Sequence, residues 1–354
     1  MRSYQIVEWG QPIELREHPT PTPQGTEVLL RVTAAGICHS DLHINDGFFD
    51  LGEGRKAELG KLGATLPLTL GHEIVGVVEA LGPQAEGVEV GEPRVAFPWI
   101  GCRHCAVCEH EREQLCLSPK FLGARVHGGY SEYAIVPHPK YLIDYGDVPT
   151  DLACTFACAG LTAYAAIKKT APLTEDDYLV LIGAGGVGLS GLHIAPSVVP
   201  AKLIVADVDP QKRGIARQAG AFATIDNSEP DAVAKVVELT GGGARAAIDF
   251  VGAPQTARFG LEVLRKGGTL INVGLYGGAL SLPLPLMPQR SLTLRGSYVG
   301  TLEEMEEVMA LGREGRVPPI PIDVRPLSAA PQALDDLRAG RVAGRVVLRP
   351  DAGP

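Results

Sequence analysis

Cys38, His39, Ser40, Asp41, Leu42 and His43 run consecutively, and Gly71-His72-Glu73 follows at the far side of a glycine-rich excursion. A thiolate, an imidazole and a carboxylate are all ligands for a divalent metal, while Ser40 and His43 beside them can carry protons. Two more cysteines, Cys154 and Cys158, stand where the sequence changes texture, and a site built on Cys38 and His72 needs only one of them. Two sulfurs and one nitrogen with an open fourth position make the donor set of a catalytic zinc. Singly, these residues have plainer readings, because cysteine often packs as a small hydrophobe and histidine as a satisfied core residue.

A second cluster, Cys102-x2-Cys105-x2-Cys108-x7-Cys116, is the most specific pattern in the chain. Four thiolates so closely spaced fill a tetrahedral zinc and leave no open position, so this site is expected to be structural. A thioredoxin-like pair would need only one C-x-x-C beside a βαβ unit, and disulfides are out of place in a reducing compartment.

The third pattern is Gly183-Ala184-Gly185-Gly186-Val187-Gly188, which follows the apolar run Tyr178 to Ile182 and precedes a helical stretch, with Asp207 closing the next apolar run. Such glycines let the backbone approach a pyrophosphate at a helix N-terminus. The Asp207 carboxylate can accept the ribose hydroxyls of NAD and repel the 2′-phosphate of NADP. Lys212 and Arg213 lie near enough to weaken that preference, unless they form only a solvated helix face. Pro196, about two turns into the helix after Gly188, predicts that this helix is short or kinked.

These residues need two kinds of framework. Up to about residue 155 the chain shows short apolar segments (27–33, 74–79 and 130–136) between Gly- and Pro-rich turns, the texture of an all-β unit. Residues 44–66, with mixed charges and several glycines, read as a mobile loop. From about Leu161 strands alternate with helical patterns: apolar runs at 178–182, 202–206, 222–225, 246–250, 268–274 and 292–296, with helices over 211–218 and 231–239. That alternation predicts a doubly wound parallel sheet of six strands. A helix over 302–313 and a last strand over 344–348 follow, the strand expected to return to the first unit because six strands already complete the sheet.

Bulk properties fit this division. A chain of 354 residues exceeds what one core comfortably fills, so two domains are expected. A net charge of -9 argues against a nucleic-acid or anionic-membrane surface, and a small anionic ligand would need a local positive site. The N-terminal residues lack the apolar run of a signal peptide, and no uninterrupted apolar stretch of about 18 residues is evident, which gives the expectation of a cytoplasmic protein. Seven cysteines there are metal ligands or core residues rather than disulfides.

With these residues placed, the chain resembles the zinc-dependent medium-chain alcohol dehydrogenases over its full length. The matching motifs are Gly36 to His43, Gly71-His72-Glu73, the four-cysteine lobe, Cys158-x3-Thr162-x-Tyr164, and the Gly183 to Gly188 turn with Asp207. The resemblance implies a GroES-like β-rich catalytic domain (1–157 and 300–354, with the zinc lobe at about 95–117) and a Rossmann domain (158–299). It assigns the third ligand of the catalytic zinc to Cys158 and leaves Cys154 in the core. It makes Glu73 a carboxylate that can approach the metal, Asp41 the group that orients His72, and Ser40 and His43 a proton relay.

For NAD, the same resemblance implies contacts from His39, Thr162, Lys212 and Arg345, the last at the pyrophosphate, and a nicotinamide wall of Val273, Gly274, Leu275, Ser297 and Val299. His39 stands where an arginine is the better-known family residue, so its phosphate contact is expected to be weaker or pH-dependent. Phe49, Trp99, Phe121 and Leu122 are expected to line an apolar substrate pocket. The expected function is hydride transfer between an apolar alcohol, or its aldehyde or ketone, and NAD, with two zinc ions per chain in a homotetramer. A polyol dehydrogenase is the nearest rival, disfavoured by the aromatic lining. A non-catalytic zinc- and nucleotide-binding protein would have no use for an open metal position beside a relay pair.

Overall fold

The computed structural model describes residues 1–170 and 172–351. Its first sheet forms because Val28–Ile37 and Glu73–Leu81 are buried along most of their lengths and pair antiparallel, with Gly36 opposite Glu73. This register decides the site, since Cys38 follows the end of one strand and His72 precedes the start of the other. Arg345–Arg349 pairs antiparallel with the other edge of Val28–Ile37 and parallel with Ile322–Pro326. Tyr133–Val136, Pro93–Ala96 and Leu142–Ile143 complete a seven-stranded sheet. A small separate sheet joins Arg2–Ile6, Glu14–Glu17 and Leu68–Thr69.

The second large sheet is parallel throughout, in the order Ala223–Ile225, Lys202–Ala206, Tyr178–Ile182, Ala244–Asp249, Leu264–Asn272, Thr293–Gly296. Strand order reverses direction at Tyr178–Ile182, and ligands bind in the crevice that such a reversal opens at the carboxyl ends of the strands. Every expected strand of this sheet is present; Leu264–Asn272 starts earlier than the apolar run because Arg265 and Lys266 extend it as exposed residues. The helix after the glycine turn is short, Gly186–Ile194, and Pro196 lies in the 3-10 turn Ala195–Ser197 that ends it.

Two expectations fail. The first unit is not all-β, because His39–Asp46 is a helix capped by Gly47 in the left-handed conformation, φ 80°. Its polar sequence HSDLHIND offers no apolar stripe, so nothing in its periodicity marks it. Nor are residues 44–66 a plain loop: they finish that helix and continue as the hairpin Phe48–Gly52 with Arg55–Glu58, turning through Gly52, Glu53 and Gly54, all at positive φ.

A continuous helix, Thr150–Lys168, links the two sheets. Its 19 residues are long and apolar enough to cross a membrane, yet 89% of the most apolar window is buried inside the protein, which makes it the central core helix. Phe156–Gly160 within it winds as a π-helical turn, a local widening often found at functional sites, and it carries Cys158.

Candidate active site

Cys38, His72 and Cys158 reach one another from three elements, a strand end, a strand start and the π turn. Cys38 is the N-cap of His39–Asp46, and its backbone N–H donates to Asp41 Oδ2 at 2.9 Å. That bond, with a second from Tyr130 Oη at 2.7 Å, leaves Asp41 Oδ1 facing His72 Nδ1 at 3.2 Å. His72 is 1% exposed; its Nδ1 meets Asp41 Oδ1 as an ion-pair contact without hydrogen-bond geometry, and its Nε2 has no partner among the described residues. A buried polar atom without a partner is costly, so the ring is oriented toward something the protein chain does not supply. Cys38 Sγ and Cys158 Sγ lie 3.8 Å apart, and with Glu73 the four ligand atoms fall within 4.8 Å of one another. Sulfurs bound to one tetrahedral zinc at about 2.3 Å would be separated by about 3.8 Å, so the donor set fits that ion.

Protons are unevenly held here. The contact with Cys158, helped by His72, holds Cys38 well below the ordinary thiol range against its burial, while the same contact and burial push Cys158 well above it. Burial disfavours charge on His72, but Asp41 and Cys38 together more than offset this and raise its pKa well above the usual value. Glu73 is fully buried, and burial pushes it up to about 7 despite the ion pair with Arg345. Its other oxygen accepts from the Ala159 N–H at 3.2 Å. A Cβ on Gly36 would fall 1.9 Å from Glu73 Oε2, so only glycine fits opposite this carboxylate.

Arg345 is therefore not a free cation aimed at a pyrophosphate. Its guanidinium is engaged by Glu73, while its stem lies over the glycine turn, where a Cβ on Gly186 would meet Arg345 Cδ at 2.3 Å. Cys154 packs in the core behind the site, its thiol on the Glu73 carbonyl at 3.2 Å.

One cavity of roughly 420 Å³ joins this cluster to the crevice of the parallel sheet. Cys38, His39, Ser40, His43, His72 and Cys158 line it together with Thr162, Gly183, Gly185, Gly186, Val187, Gly188, Asp207, Lys212, Val273, Gly274, Leu275, Ser297, Val299 and Arg345. Gly183 takes φ 92°, and a Cβ on Gly188 would stand 1.7 Å from the Gly183 carbonyl oxygen, so helix and turn close only with glycine. Asp207 is held at the crevice by the N–H groups of Ala184 at 2.6 Å and Asp209 at 2.8 Å. Arg213 is committed elsewhere, to Asp226 at 2.9 Å and the Asp207 carbonyl, which leaves Lys212 as the cation facing the cavity from this helix. Val299 adopts φ 37°, a conformation costing about 1–3 kcal/mol that branched residues keep only where their surroundings impose it.

Phe49, Trp99 and Phe121 line the same cavity, with Trp99 5.3 Å from the His72 ring and 5.4 Å from Phe121. Leu122 does not: it is fully buried outside the lining, at the bridge to Val126 that closes the turn after Phe121. Sequence reasoning also missed Tyr298, whose ring lies 6.1 Å from Trp99 and 6.4 Å from Phe121 and completes an aromatic trio. Its place between Ser297 and Val299, both expected at the nicotinamide, was the available signal. Arg125 is a second lining residue that escaped notice.

The four-cysteine lobe stands apart from the cavity. Its Sγ atoms lie 3.4 Å (Cys105–Cys108), 3.8 Å (Cys105–Cys116) and 4.0 Å (Cys102–Cys108) apart, again the edge length expected of a tetrahedral zinc. N–H groups of Cys102 and Ser118 each donate to Cys116 Sγ at 3.3 Å. Glu113 ties the lobe to the sheet, accepting from the Gly101 N–H, Lys140 Nζ and Tyr141 Oη.

Known proteins agree with this picture. A family model described as the alcohol dehydrogenase GroES-like domain matches residues 24–147, and one described as zinc-binding dehydrogenase matches residues 186–314. An NAD-dependent alcohol dehydrogenase of Sulfurisphaera tokodaii is 37% identical over 99% of this chain and 100% of its own. One of Saccharolobus solfataricus is 36% identical with the same coverage. The crystal structure of an alcohol dehydrogenase from Aeropyrum pernix superposes with a TM-score of 0.90 at 31% identity, covering 99% of this chain and 100% of that one. By motif, fold and full-length similarity, the chain belongs to the zinc-binding medium-chain alcohol dehydrogenases.

Proposed function

We propose that this protein transfers hydride between apolar primary or secondary alcohols and NAD, and in reverse reduces the corresponding aldehydes or ketones. The observation that carries the reading is that one cavity joins a buried Cys38–His72–Cys158 cluster, with an imidazole nitrogen lacking a partner, to a glycine turn closed by Asp207. In this reading Cys38, His72 and Cys158 hold a catalytic zinc and Cys102, Cys105, Cys108 and Cys116 a structural one. The catalytic ion, when bound, supplies Lewis acidity that favours loss of the alcohol proton at neutral pH.

The chain's own residues do the rest. Asp41 fixes the His72 ring so that Nε2 faces the cluster. Ser40 and His43 line the path from the cluster outward and carry the proton. Burial, reinforced by His39, lowers the His43 pKa, so its ring is neutral and able to accept a proton near pH 7. Asp207 and Lys212 position the adenosine end of NAD, His39 flanks its phosphates beside the glycine turn that the Arg345 stem supports, and Thr162, Val273, Gly274, Leu275, Ser297 and Val299 position the nicotinamide. Trp99, Phe121, Tyr298 and Phe49 exclude water and favour an apolar substrate body.

The division into a catalytic domain (1–157 and 300–354) and a nucleotide domain (158–299) belongs to the same proposal, as do a cytoplasmic homotetramer with two zinc ions per chain and the absence of nucleic-acid or membrane partners. A panel of alcohols followed by NADH absorbance tests the activity. Turnover of benzyl alcohol or cyclohexanol is expected; no turnover of any alcohol with zinc and NAD supplied overturns it, and sorbitol outpacing both would favour a polyol dehydrogenase.

A further inference from the structure

The cavity that holds the zinc-ligand cluster of Cys38, His72 and Cys158 is also lined by the aromatic trio and by a cation, Arg125. Trp99, next to His72, leads to Phe121 and Tyr298, and in the turn that follows Phe121 comes Arg125, whose N–H donates to the Phe121 carbonyl at 2.8 Å. Arg125 lines the cavity and is only partly exposed, yet no carboxylate pairs with it among the described residues. Of its five guanidinium donors, one makes a long contact, 3.5 Å, to the Leu59 carbonyl. Burial lowers its pKa, and the neighbour that opposes this is a neutral phenol, Tyr298, rather than an acid.

A partly buried guanidinium beside aromatic rings, with no acid paired to it among the described residues, is free to receive an anionic group. The phosphates of the cofactor belong at the glycine turn, where Lys212 faces the cavity, and Arg125 is not among the residues placed around them. The planar fork of arginine matches a carboxylate with two parallel hydrogen bonds. In a chain of net charge -9, this is the local positive site that an anionic substrate would need.

Resting on the alcohol dehydrogenase reading above, we propose that Arg125 determines specificity by receiving a carboxylate at the far end of the substrate, whose apolar body lies between Trp99, Phe121 and Tyr298. Among the alcohols and aldehydes the site accepts, those bearing a carboxylate beyond an apolar spacer are then preferred over their uncharged counterparts.

The test compares 4-(hydroxymethyl)benzoate with benzyl alcohol in the full-length, zinc-loaded protein with NAD. The ratio of their kcat/KM values is expected to favour the carboxylated alcohol, and Arg125→Met to lower that ratio about 10–100-fold, the range for charge-assisted hydrogen bonds. Arg125→Lys, which keeps the charge without the fork, is expected to lower it less, and it carries the comparison if the methionine variant does not fold. A wild-type ratio of one or below, or a variant that slows both alcohols equally, overturns the proposal. If neither alcohol is oxidised, the activity reading fails separately. Calorimetry of benzoate binding to the NAD-loaded protein then decides: weaker binding to the variant supports Arg125, and equal binding overturns it.

Discussion

The two clusters of metal-ligating side chains are built in opposite ways. Cys102, Cys105, Cys108 and Cys116 sit in one short lobe, two of them half-exposed, and touch no part of the cavity. Cys38, His72 and Cys158 come from three separate elements, are all nearly inaccessible, and form a cavity wall. A lobe of four like donors closes on an ion and holds its own backbone; a mixed set spread along the chain can leave one side open to a ligand. Local spacing thus suffices for a structural site, whereas a reactive one depends on the whole fold to assemble it.

Substitutions break this comparison most sharply at the cysteines. Cys158→Ser is expected to abolish alcohol turnover, a loss beyond the roughly 10–100-fold typical of residues that merely support a metal ligand, while circular dichroism and Tm stay near wild type. Cys105→Ser is expected to lower Tm by several degrees with activity retained below the new transition, because metal binding there is folding energy. Metal analysis should find one zinc lost in each. Two variants that lose only stability would erase the distinction.

Asp41→Asn tests whether the reactive cluster depends on its supporting shell. Because Asp41 also caps Cys38 and accepts from Tyr130, a 10–100-fold fall in zinc affinity or kcat/KM is expected, measured by chelator competition and steady-state kinetics. Zinc affinity equal to wild type would show that the backbone alone orients His72.

Asp207→Gly moves the test to the cofactor end. The ratio of kcat/KM with NADP to that with NAD should rise, since the carboxylate that repels a 2′-phosphate is gone while Lys212 remains. An unchanged ratio would place the discrimination elsewhere.

The smallest effect is expected at Glu113→Gln, which tests the lobe's anchor. Burial opposes the charge on Glu113, but Lys140, Tyr141 and the Gly101 N–H hold its carboxyl below the usual range. A folded pKa below the unfolded value stabilises the protein above about pH 4.3, and that contribution is lost as pH falls through the lower, folded value. Denaturant titration should show the variant about 1.5–3 kcal/mol less stable at pH 7, with the difference narrowing in acid.

Particular residues show where sequence reading stopped. The four-cysteine spacing, the glycine turn with Asp207 and the six parallel strands were legible because each is a local pattern. Helix His39–Asp46 was not, since its sequence has no apolar periodicity and the helix is fixed by the Cys38–Asp41 cap and by Gly47. The hairpin at 48–58 was lost for a related reason: its second strand, RKAE, is charged and mostly exposed, and neither strand alternates apolar with polar residues.

The chain by itself determined which donor atoms exist, where the nucleotide turn lies and which strands form the parallel sheet, because nearest-neighbour chemistry and hydrophobic period are written along it. Tertiary structure alone decided that Gly36 lies opposite Glu73, that a π turn presents Cys158 to Cys38 and His72, that Arg345 turns inward to Glu73, and that Tyr298 and Arg125 share a wall with Trp99 while Leu122 does not. Such facts depend on register and on which side of a backbone a group falls, and these are fixed only when distant segments pack.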